Sequence, residues 1–194
     1  MATRKRFRVT TPEGRLSYPA LFVPTNGGFE NQEPKYGVEV IIPKSTDVSD
    51  LKQACANTLL EQFPSEGSRP KTPLPIHDGD AINAKRVADG KDPRPEVAGA
   101  WVIKAKSKDK VAIVDENVQP IMDQAKIYGG CWVRISVTPF WFDKGVNNGL
   151  SFALNGVQFA RDDTPFGNPF DVNAAFGPTG GMSTSEAEAD ALFT

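Results

Sequence analysis

Apolar and polar residues alternate along several short segments of the chain, which is the pattern of half-buried β-strands. In one of them, Val38, Val40 and Ile42 alternate with Glu39 and Ile41. Segments of this kind predict about seven strands, mostly joined as hairpins. They are KRFRVT (5–10), RLSYPALFV (15–23), YGVEVIIP (36–43), AWVIKAKS (100–107), VAIVD (111–115), IYGGCWVRISVTPFWF (127–142) and LSFALNGVQFAR (150–161). The intervening GVNNG is predicted as a hairpin turn, because Asn-Gly tolerates a positive φ.

One segment between the early and late strands has helical periodicity instead. Its apolar residues recur every four positions, which places them on one face of a helix: Leu51, Cys55, Leu59 and Phe63. Asp47 can cap the N-terminus and Pro64 ends the pattern. We therefore expect a short amphipathic helix packed against the sheet.

Residues 64–99 are polar and rich in proline, and they predict a long basic loop. Loops of this length inside a compact domain usually have a function. The elements together predict a mainly β fold, an OB-fold-like, partly open antiparallel barrel with one amphipathic helix. A β-sandwich is the alternative, since strand periodicity alone does not separate the two architectures.

Charge divides the chain into two parts. The residues after Arg161 include six carboxylates and no Lys or Arg, whereas residues 1–161 hold all 22 basic side chains and 18 of the 24 acidic ones, a formal charge of +4. We predict an OB domain over residues 1–167 and a flexible acidic tail over residues 168–194. A basic body favours a polyanionic partner, which such a tail would repel.

The last residues, STSEAEADALFT, combine charge with an apolar tip. Glu186, Glu188 and Asp190 have no basic neighbour, and Leu192 and Phe193 follow them. We expect this segment to act as a regulatory tail whose carboxylates screen the basic body and whose Leu-Phe tip docks on partner proteins.

The late strands carry aromatic rings beside cations, the combination that single-stranded nucleic acid requires for base stacking and phosphate neutralisation. Alternation directs Trp132 and Arg134 away from the core. Phe140, Trp141 and Phe142 are consecutive, so at least one of these rings must lie on the opposite face from the others. The alternative is that all three rings are packed into the core.

A second basic pattern occurs in AWVIKAKSKDK, where lysines at every second position form a ridge on one face of a strand. The alternative is an edge strand whose lysines guard against further pairing. The candidate residues for binding single-stranded DNA are Lys85, Arg86, Trp101, Lys104, Lys106, Lys108, Tyr128, Trp132, Arg134, Phe140, Trp141, Phe142 and Lys144.

Catalytic signals are weak. His77, Asp78 and Asp80 form the one combination that could hold Mg²⁺ at a nuclease site, but Asp-Gly-Asp is also an ordinary turn. Cys55 and Cys131 lack metal-ligand spacing and are expected to be buried thiols. We therefore expect a protein without enzymatic activity, metal or other cofactor.

The segment 128–167 resembles a family of phage single-stranded-DNA-binding proteins. The shared pattern is a Tyr-Gly-Gly stretch (128–130), an aromatic strand (132–142), Lys144-Gly145, an Asn-x-Val-Gln strand end (155–158) and Arg161-Asp162. A looser resemblance extends over residues 5–167. It implies an OB fold, binding of single-stranded DNA without sequence preference, a role in phage replication or recombination, and an acidic C-terminal tail.

The predicted function is therefore protection and organisation of single-stranded DNA in the host cytoplasm. The chain shows no secretory signal and no apolar run long enough for a membrane span. Expected partners are replication proteins, such as a polymerase or a helicase/primase, bound through the tail, and a second copy in a homodimer. The alternatives are a metal-dependent nuclease or resolvase and a structural phage protein that uses the aromatic hairpin as an interface.

Overall fold

A computed structural model describes residues 5–28 and 32–167 of the chain. The described part contains eight strands and two α-helices, together with three short 3-10 turns. In chain order the elements are β1 (Val9–Thr10), β2 (Gly14–Thr25), β3 (Lys35–Pro43), α1 (Ser49–Gln62), β4 (Ile76–Asp78), α2 (Gly79–Ala88), β5 (Ala100–Ser107), β6 (Ala112–Val114), β7 (Trp132–Lys144) and β8 (Asn147–Arg161). The predicted tail, residues 168–194, lies outside the described residues.

Five of the strands form a ring. β2 pairs with β3 and β7, β3 pairs with β5, and β8 pairs with both β5 and β7. All of these pairs are antiparallel except β5–β8. The β2–β7 and β5–β8 seams are short, each with two paired positions, so the ring is only partly closed. This arrangement confirms the predicted OB-like barrel.

The core fills the interior of the barrel. Val133, Ile135 and Val137 of β7 are completely buried, as their alternation with polar residues predicted, and Val40 and Ile103 face them from β3 and β5. The strands are therefore arranged with one face of each turned inward, and the outer faces are left for solvent, the helices and a ligand.

The predicted amphipathic helix is α1, and it packs against the core with its predicted face. Leu51 and Cys55 are buried, and Leu59 is partly buried against the same cluster. Phe63 follows the helix and meets Trp141 edge-to-face, with ring centroids 5.1 Å apart. Cys55 and Cys131 are free buried thiols, and burial raises the pKa of Cys55 to about 12.

The predicted long loop over residues 64–99 is wrong in part, because it contains strand β4 and helix α2. The Asp78 carboxylate caps α2 by accepting from the Asp80 amide at 2.9 Å. Asp80 lies in the first turn of α2, and Lys85 and Arg86 lie in the last turn. A negative charge at the N-terminus and positive charges at the C-terminus interact favourably with the helix dipole. The described part of the chain therefore has two α-helices rather than the one predicted.

Two strand boundaries also differ from the prediction. Of residues 5–10 only Val9–Thr10 pairs, with β7. The β7–β8 turn consists of Gly145 and Val146, since Lys144 pairs with Asn147, and the Asn-Gly dipeptide lies within β8. Gly145 has a φ of 69°, and a glycine at the first of two central positions matches the type II′ hairpin turn.

Helix α2 lies on the outside of the barrel, where Gly79, its first residue, packs closely against the segment that precedes β5. A Cβ added to Gly79 would lie 1.9 Å from the Val97 carbonyl oxygen. Val97 belongs to a small second cluster with Ile41 and Val102, against which Ile82 of α2 packs. The outer face of β3 and β5 is therefore covered at one end.

We expect Gly79→Ala to lower the free energy of unfolding by about 1–3 kcal/mol, because the added methyl group forces α2 away from the Val97 segment. Chemical denaturation would measure the change. Gly67→Ala is the matched control, since a Cβ at Gly67 meets nothing within 4 Å. Equal stability of the two variants would contradict this account of α2.

Candidate nucleic-acid interface

The lysines of β5 lie on the outer face of the barrel beside β3. Lys104 pairs with Glu39 and Lys106 with Gly37 across the two strands. A Cβ added to Gly37 would lie 3.2 Å from Cγ of Lys106, so the bare glycine lets the aliphatic part of this lysine lie across β3. Both lysines are exposed and alternate with buried Ile103 and Ala105, as predicted, but β5 ends at Ser107, so only these two of the four predicted ridge lysines lie on the strand.

Three connections meet at the end of this face. Lys108 follows β5 and makes an ion pair with Glu33 of the β2–β3 connection, with Nζ and Oε2 2.6 Å apart. The pKa of Glu33 is lowered, first by Lys108 and then by the charges of Lys35 and of Lys144 at the β7–β8 turn. The charges of three lysines therefore act on one carboxylate, and Lys108 contacts it directly.

We call this surface the basic face and define it by Lys35, Lys104, Lys106, Lys108 and Lys144. β3 and β5 are the second and third strands of the barrel in chain order, and the β2–β3 and β7–β8 connections flank them. In OB folds these two strands and these two connections form the surface that binds oligonucleotides. Lys104, Lys106 and Lys108 of the predicted ridge and Lys144 of the hairpin are thus brought to one surface, whereas Lys110, the fourth lysine of the predicted ridge, is not part of this set.

A buried ion pair lies beside the basic face. Glu39 is on the outer side of β3 but only 5% exposed. Its carboxylate accepts from Nη2 of Arg94 at 2.5 Å, and Lys104 approaches its other oxygen at 3.5 Å. Nε of Arg94 donates to Glu96 at 2.8 Å, and Nη2 also donates to the Ser17 hydroxyl at 3.2 Å. The guanidinium thus has a fixed position.

Tyr128 and Trp132 are engaged by the segment that follows β8. The Trp132 indole donates to the Asp163 carboxylate at 2.7 Å, and the Arg161 guanidinium lies 4.0 Å from the Trp132 ring centroid. The Tyr128 hydroxyl donates to Asp162 at 3.0 Å. The indole hydrogen bond is the main cause that lowers the pKa of Asp163. The Tyr128 hydroxyl and the Trp132 indole N–H could therefore hydrogen-bond to DNA only after the segment with Asp162 and Asp163 moves away.

The three consecutive aromatics of β7 separate as alternation predicted. Phe140 is 41% exposed, whereas Trp141 packs on the core and on Phe63. The ring of Phe142 covers Gly149, where a Cβ would lie 3.5 Å from its edge. Phe140 and Trp141 line a groove of about 510 Å³ beside α1, away from β3. These rings do not form one exposed patch, which weakens the interpretation of the hairpin as a protein interface.

The remaining candidates lie elsewhere on the molecule. Trp101 is half-buried against the core, with the ammonium groups of Lys44 and Lys52 5.2 and 5.8 Å from its ring centroid. Lys85 and Arg86 are on α2, and Nε of Arg86 donates to the Asp92 carbonyl at 2.8 Å. Arg134 is exposed on β7. Glu186, Glu188, Asp190, Leu192 and Phe193 lie outside the described residues.

The geometry around Asp78 and Asp80 does not fit a magnesium site. Lys44 Nζ lies 2.7 Å from a carboxylate oxygen of each residue and occupies the position between them that a cation would need. The hydrogen bond from Lys44 is the largest cause that lowers the pKa of each carboxyl. Across the described ranges, no group of three or more His, Cys, Asp or Glu side chains is placed to hold a metal.

Sequence reasoning missed Tyr18 and Arg94. Tyr18 appeared to be one position in a regular strand, but it is 69% exposed and has a φ of 45°. The Arg94 guanidinium lies 4.9 Å from its ring centroid. The available signal was the Tyr-Pro dipeptide, because a proline within a strand pattern often marks a bulge or an edge.

Comparison with known proteins identifies the family. A family model described as "Enterobacter phage Enc34, ssDNA-binding protein" matches residues 7–192. The chain belongs to this family. The Enc34 family consists of DNA-binding proteins rather than enzymes, which removes the basis for the nuclease alternative. A curated relative, "Putative protein p50" of Acyrthosiphon pisum secondary endosymbiont phage 1, is 30% identical over 162 residues, which are 78% of this chain and 82% of the relative.

Solved structures agree with the fold of this Enc34-family chain. The single-stranded DNA-binding protein from bacteriophage Enc34 in complex with ssDNA has a TM-score of 0.69 at 24% identity, covering 86% of this chain and 96% of that one. The single-stranded DNA-binding protein gp2.5 of bacteriophage T7 has a TM-score of 0.56 at 14% identity, covering 93% and 100%. No helix in the described part of the chain is long and apolar enough to cross a membrane.

We expect Arg94→Ala to lower the free energy of unfolding by about 3–5 kcal/mol, because it leaves the buried Glu39 carboxylate without its main partner. Urea denaturation would measure the loss. Lys108→Ala, which removes the exposed ion pair with Glu33, is the matched control and should have little effect. Similar midpoints for the two variants would show that the Glu39–Arg94 pair does not stabilise the fold.

Proposed function

We propose that this chain binds single-stranded DNA on the basic face and does so without sequence preference. The register between β3 and β5 is the observation that supports this most strongly, because it places Lys104 and Lys106 on the surface that OB folds use for oligonucleotides. Lysine ammonium groups neutralise phosphates, which are the same for every sequence. Membership of the Enc34 family supports the same ligand.

The role that follows is protection and organisation of single-stranded DNA during phage replication or recombination. Such a protein needs no catalytic residue and no cofactor. We place its action in the cytoplasm of the infected cell, where phage DNA is copied. Replication proteins, such as a polymerase or a helicase/primase, are the proposed partners, and a homodimer is a further proposal.

We assign regulation to residues 168–194. The chain carries a formal +4 up to Arg161, and four of the six carboxylates that follow it lie within residues 168–194. The tail therefore has the charge of a DNA substitute, and its carboxylates would compete with DNA for the basic face at low salt. The apolar tip, Leu192 and Phe193, would remain available to a shallow pocket on a replication partner.

Replacing Lys106 or Lys144 with alanine should weaken binding to oligo-dT and flatten its salt dependence. The plot of log K against log salt should lose about 0.7 of its slope for each phosphate contact removed. Fluorescence anisotropy of a labelled oligonucleotide at several salt concentrations measures both quantities.

Lys126→Ala is the matched control, since Lys126 is an exposed lysine of a 3-10 turn outside the basic face. It should keep the wild-type slope. A wild-type affinity that is independent of salt, or one that is higher for duplex DNA, would contradict the proposed function.

Deleting residues 183–194 should tighten binding to oligo-dT several-fold at low salt, because three carboxylates no longer compete with phosphate. The difference should shrink as salt screens the competition. The same anisotropy titration, run on full-length and shortened protein, measures it.

Phe193→Ala is the matched control for the deletion, because it removes the apolar tip and keeps every carboxylate. It should leave DNA affinity unchanged and weaken only the capture of replication proteins. Unchanged affinity after the deletion would show that the tail does not compete with DNA.

A further inference from the structure

Tyr18 is held in an unusual conformation on the outside of β2. Between the pairs Ser17↔Glu39 and Ala20↔Gly37, β2 has one residue more than β3, so Tyr18 and Pro19 form a bulge. Bulges redirect side chains, and a non-glycine residue at a φ of 45° is strained, the more so before proline. In this conformation the aromatic ring of Tyr18 is 69% exposed to solvent.

Arg94 supports this ring from one side. Its guanidinium lies 4.9 Å from the ring centroid, within the range of a cation–π contact. The Arg94 side chain is only 11% exposed, and its charge is matched by Glu39 and Glu96. Asn83 fixes the Arg94 backbone through bonds of 2.8 and 2.9 Å. Arg94 therefore acts as a rigid support for the Tyr18 ring, and its committed charge is not free for phosphate.

The supported ring borders a groove of about 720 Å³. Its walls are mostly flat and apolar, with Tyr18, Pro19, Pro95, Pro165 and Phe166 among them, and the carboxylate of Glu96, which also lines it, is paired with Arg94. Phe166 repeats the arrangement of Tyr18, since the Arg15 guanidinium lies 4.3 Å from its ring centroid. The groove thus has two aromatic rings, each with an arginine behind it, and its volume is in the range of ligand pockets.

The groove and the basic face lie on neighbouring strands of the barrel. Ser17, which lines the groove, is in register with Glu39, and Glu39 is in register with Lys104. A nucleotide whose base lay on Tyr18 could therefore extend its phosphate across β3 toward the lysines of β5. Base stacking and phosphate contact are the two components of non-specific single-strand binding.

We propose that the groove between Tyr18 and Phe166 is a nucleobase-binding subsite and that Tyr18 is its stacking residue. This inference rests on the proposed function, because it assigns the base contacts to one end of the surface whose phosphate contacts are on the basic face. It adds a residue that the sequence pattern did not identify as a DNA contact.

The test compares Tyr18→Asn with Tyr18→Phe in the full-length protein. Asparagine tolerates a positive φ, so Tyr18→Asn removes the ring while preserving the bulge. We expect it to weaken oligo-dT binding by about 5- to 150-fold, the range for one lost base–aromatic stack, without changing the salt slope. Tyr18→Phe should keep wild-type affinity, because the stacking surface is retained.

Val118→Asn is the matched control, since Val118 is also non-glycine, 66% exposed and at a φ of 62°. It should bind as the wild type does. Thermal melting of all variants confirms that each is folded. As an independent readout, an oligonucleotide carrying 5-iododeoxyuridine should photo-crosslink to a peptide that contains Tyr18.

The outcomes separate the two proposals. If Tyr18→Asn binds like the wild type while the wild type keeps its salt slope, the subsite is wrong and the basic face stands. If Tyr18→Asn changes the slope, Tyr18 acts on phosphate contacts and the stacking assignment is wrong. If the wild type shows no salt-dependent binding to oligo-dT, the proposed function fails and the subsite fails with it.

Discussion

The outer surface of this barrel depends on one buried ion pair, Glu39 with Arg94. A carboxylate that is almost inaccessible to solvent must be matched by a cation, and the match here comes from a residue 55 positions away in the chain. Satisfying Glu39 fixes Arg94, and Arg94 in turn fixes the loop that leads to the cluster under α2. The same guanidinium supports the ring of Tyr18. This ion pair thus links β3, Asn83 of helix α2 and the ring that borders the proposed base-binding groove.

Carboxylates and cations are divided unevenly over the rest of the molecule. Lysines gather on one end of β3 and β5 around Glu33, whereas Asp162 and Asp163 lie over Tyr128 and Trp132. Asp162 and Asp163, the first acidic residues after β8, therefore accept hydrogen bonds from the Tyr128 hydroxyl and the Trp132 indole. This arrangement continues the charge division of the sequence, in which no Lys or Arg follows Arg161.

Local periodicity predicted the parts of the fold that depend on neighbouring residues. The inward set of β7 and the four-residue spacing of α1 were both correct, since each reflects one element facing one core. Helix α2 was missed because few apolar residues mark it, and its position depends on the contact of Gly79 with the Val97 segment. The hairpin turn was misplaced because Gly145 and Asn148 lie close together and both tolerate the required backbone angles.

The sequence by itself determined the class of the protein: a mainly β fold with alternating strands, lysines in a ridge, aromatic rings near cations and a charge-divided chain. These features are read from neighbouring residues or from summed charges, so they do not depend on which strands pair with each other. Only the tertiary structure decided which of the candidate DNA-binding residues lie on the same surface. It brought Lys104, Lys106, Lys108 and Lys144 together, and it packed Trp141 against Phe63. It also exposed Tyr18 through a bulge that exists only in register with β3, because long-range pairing, not local pattern, sets the direction of each side chain.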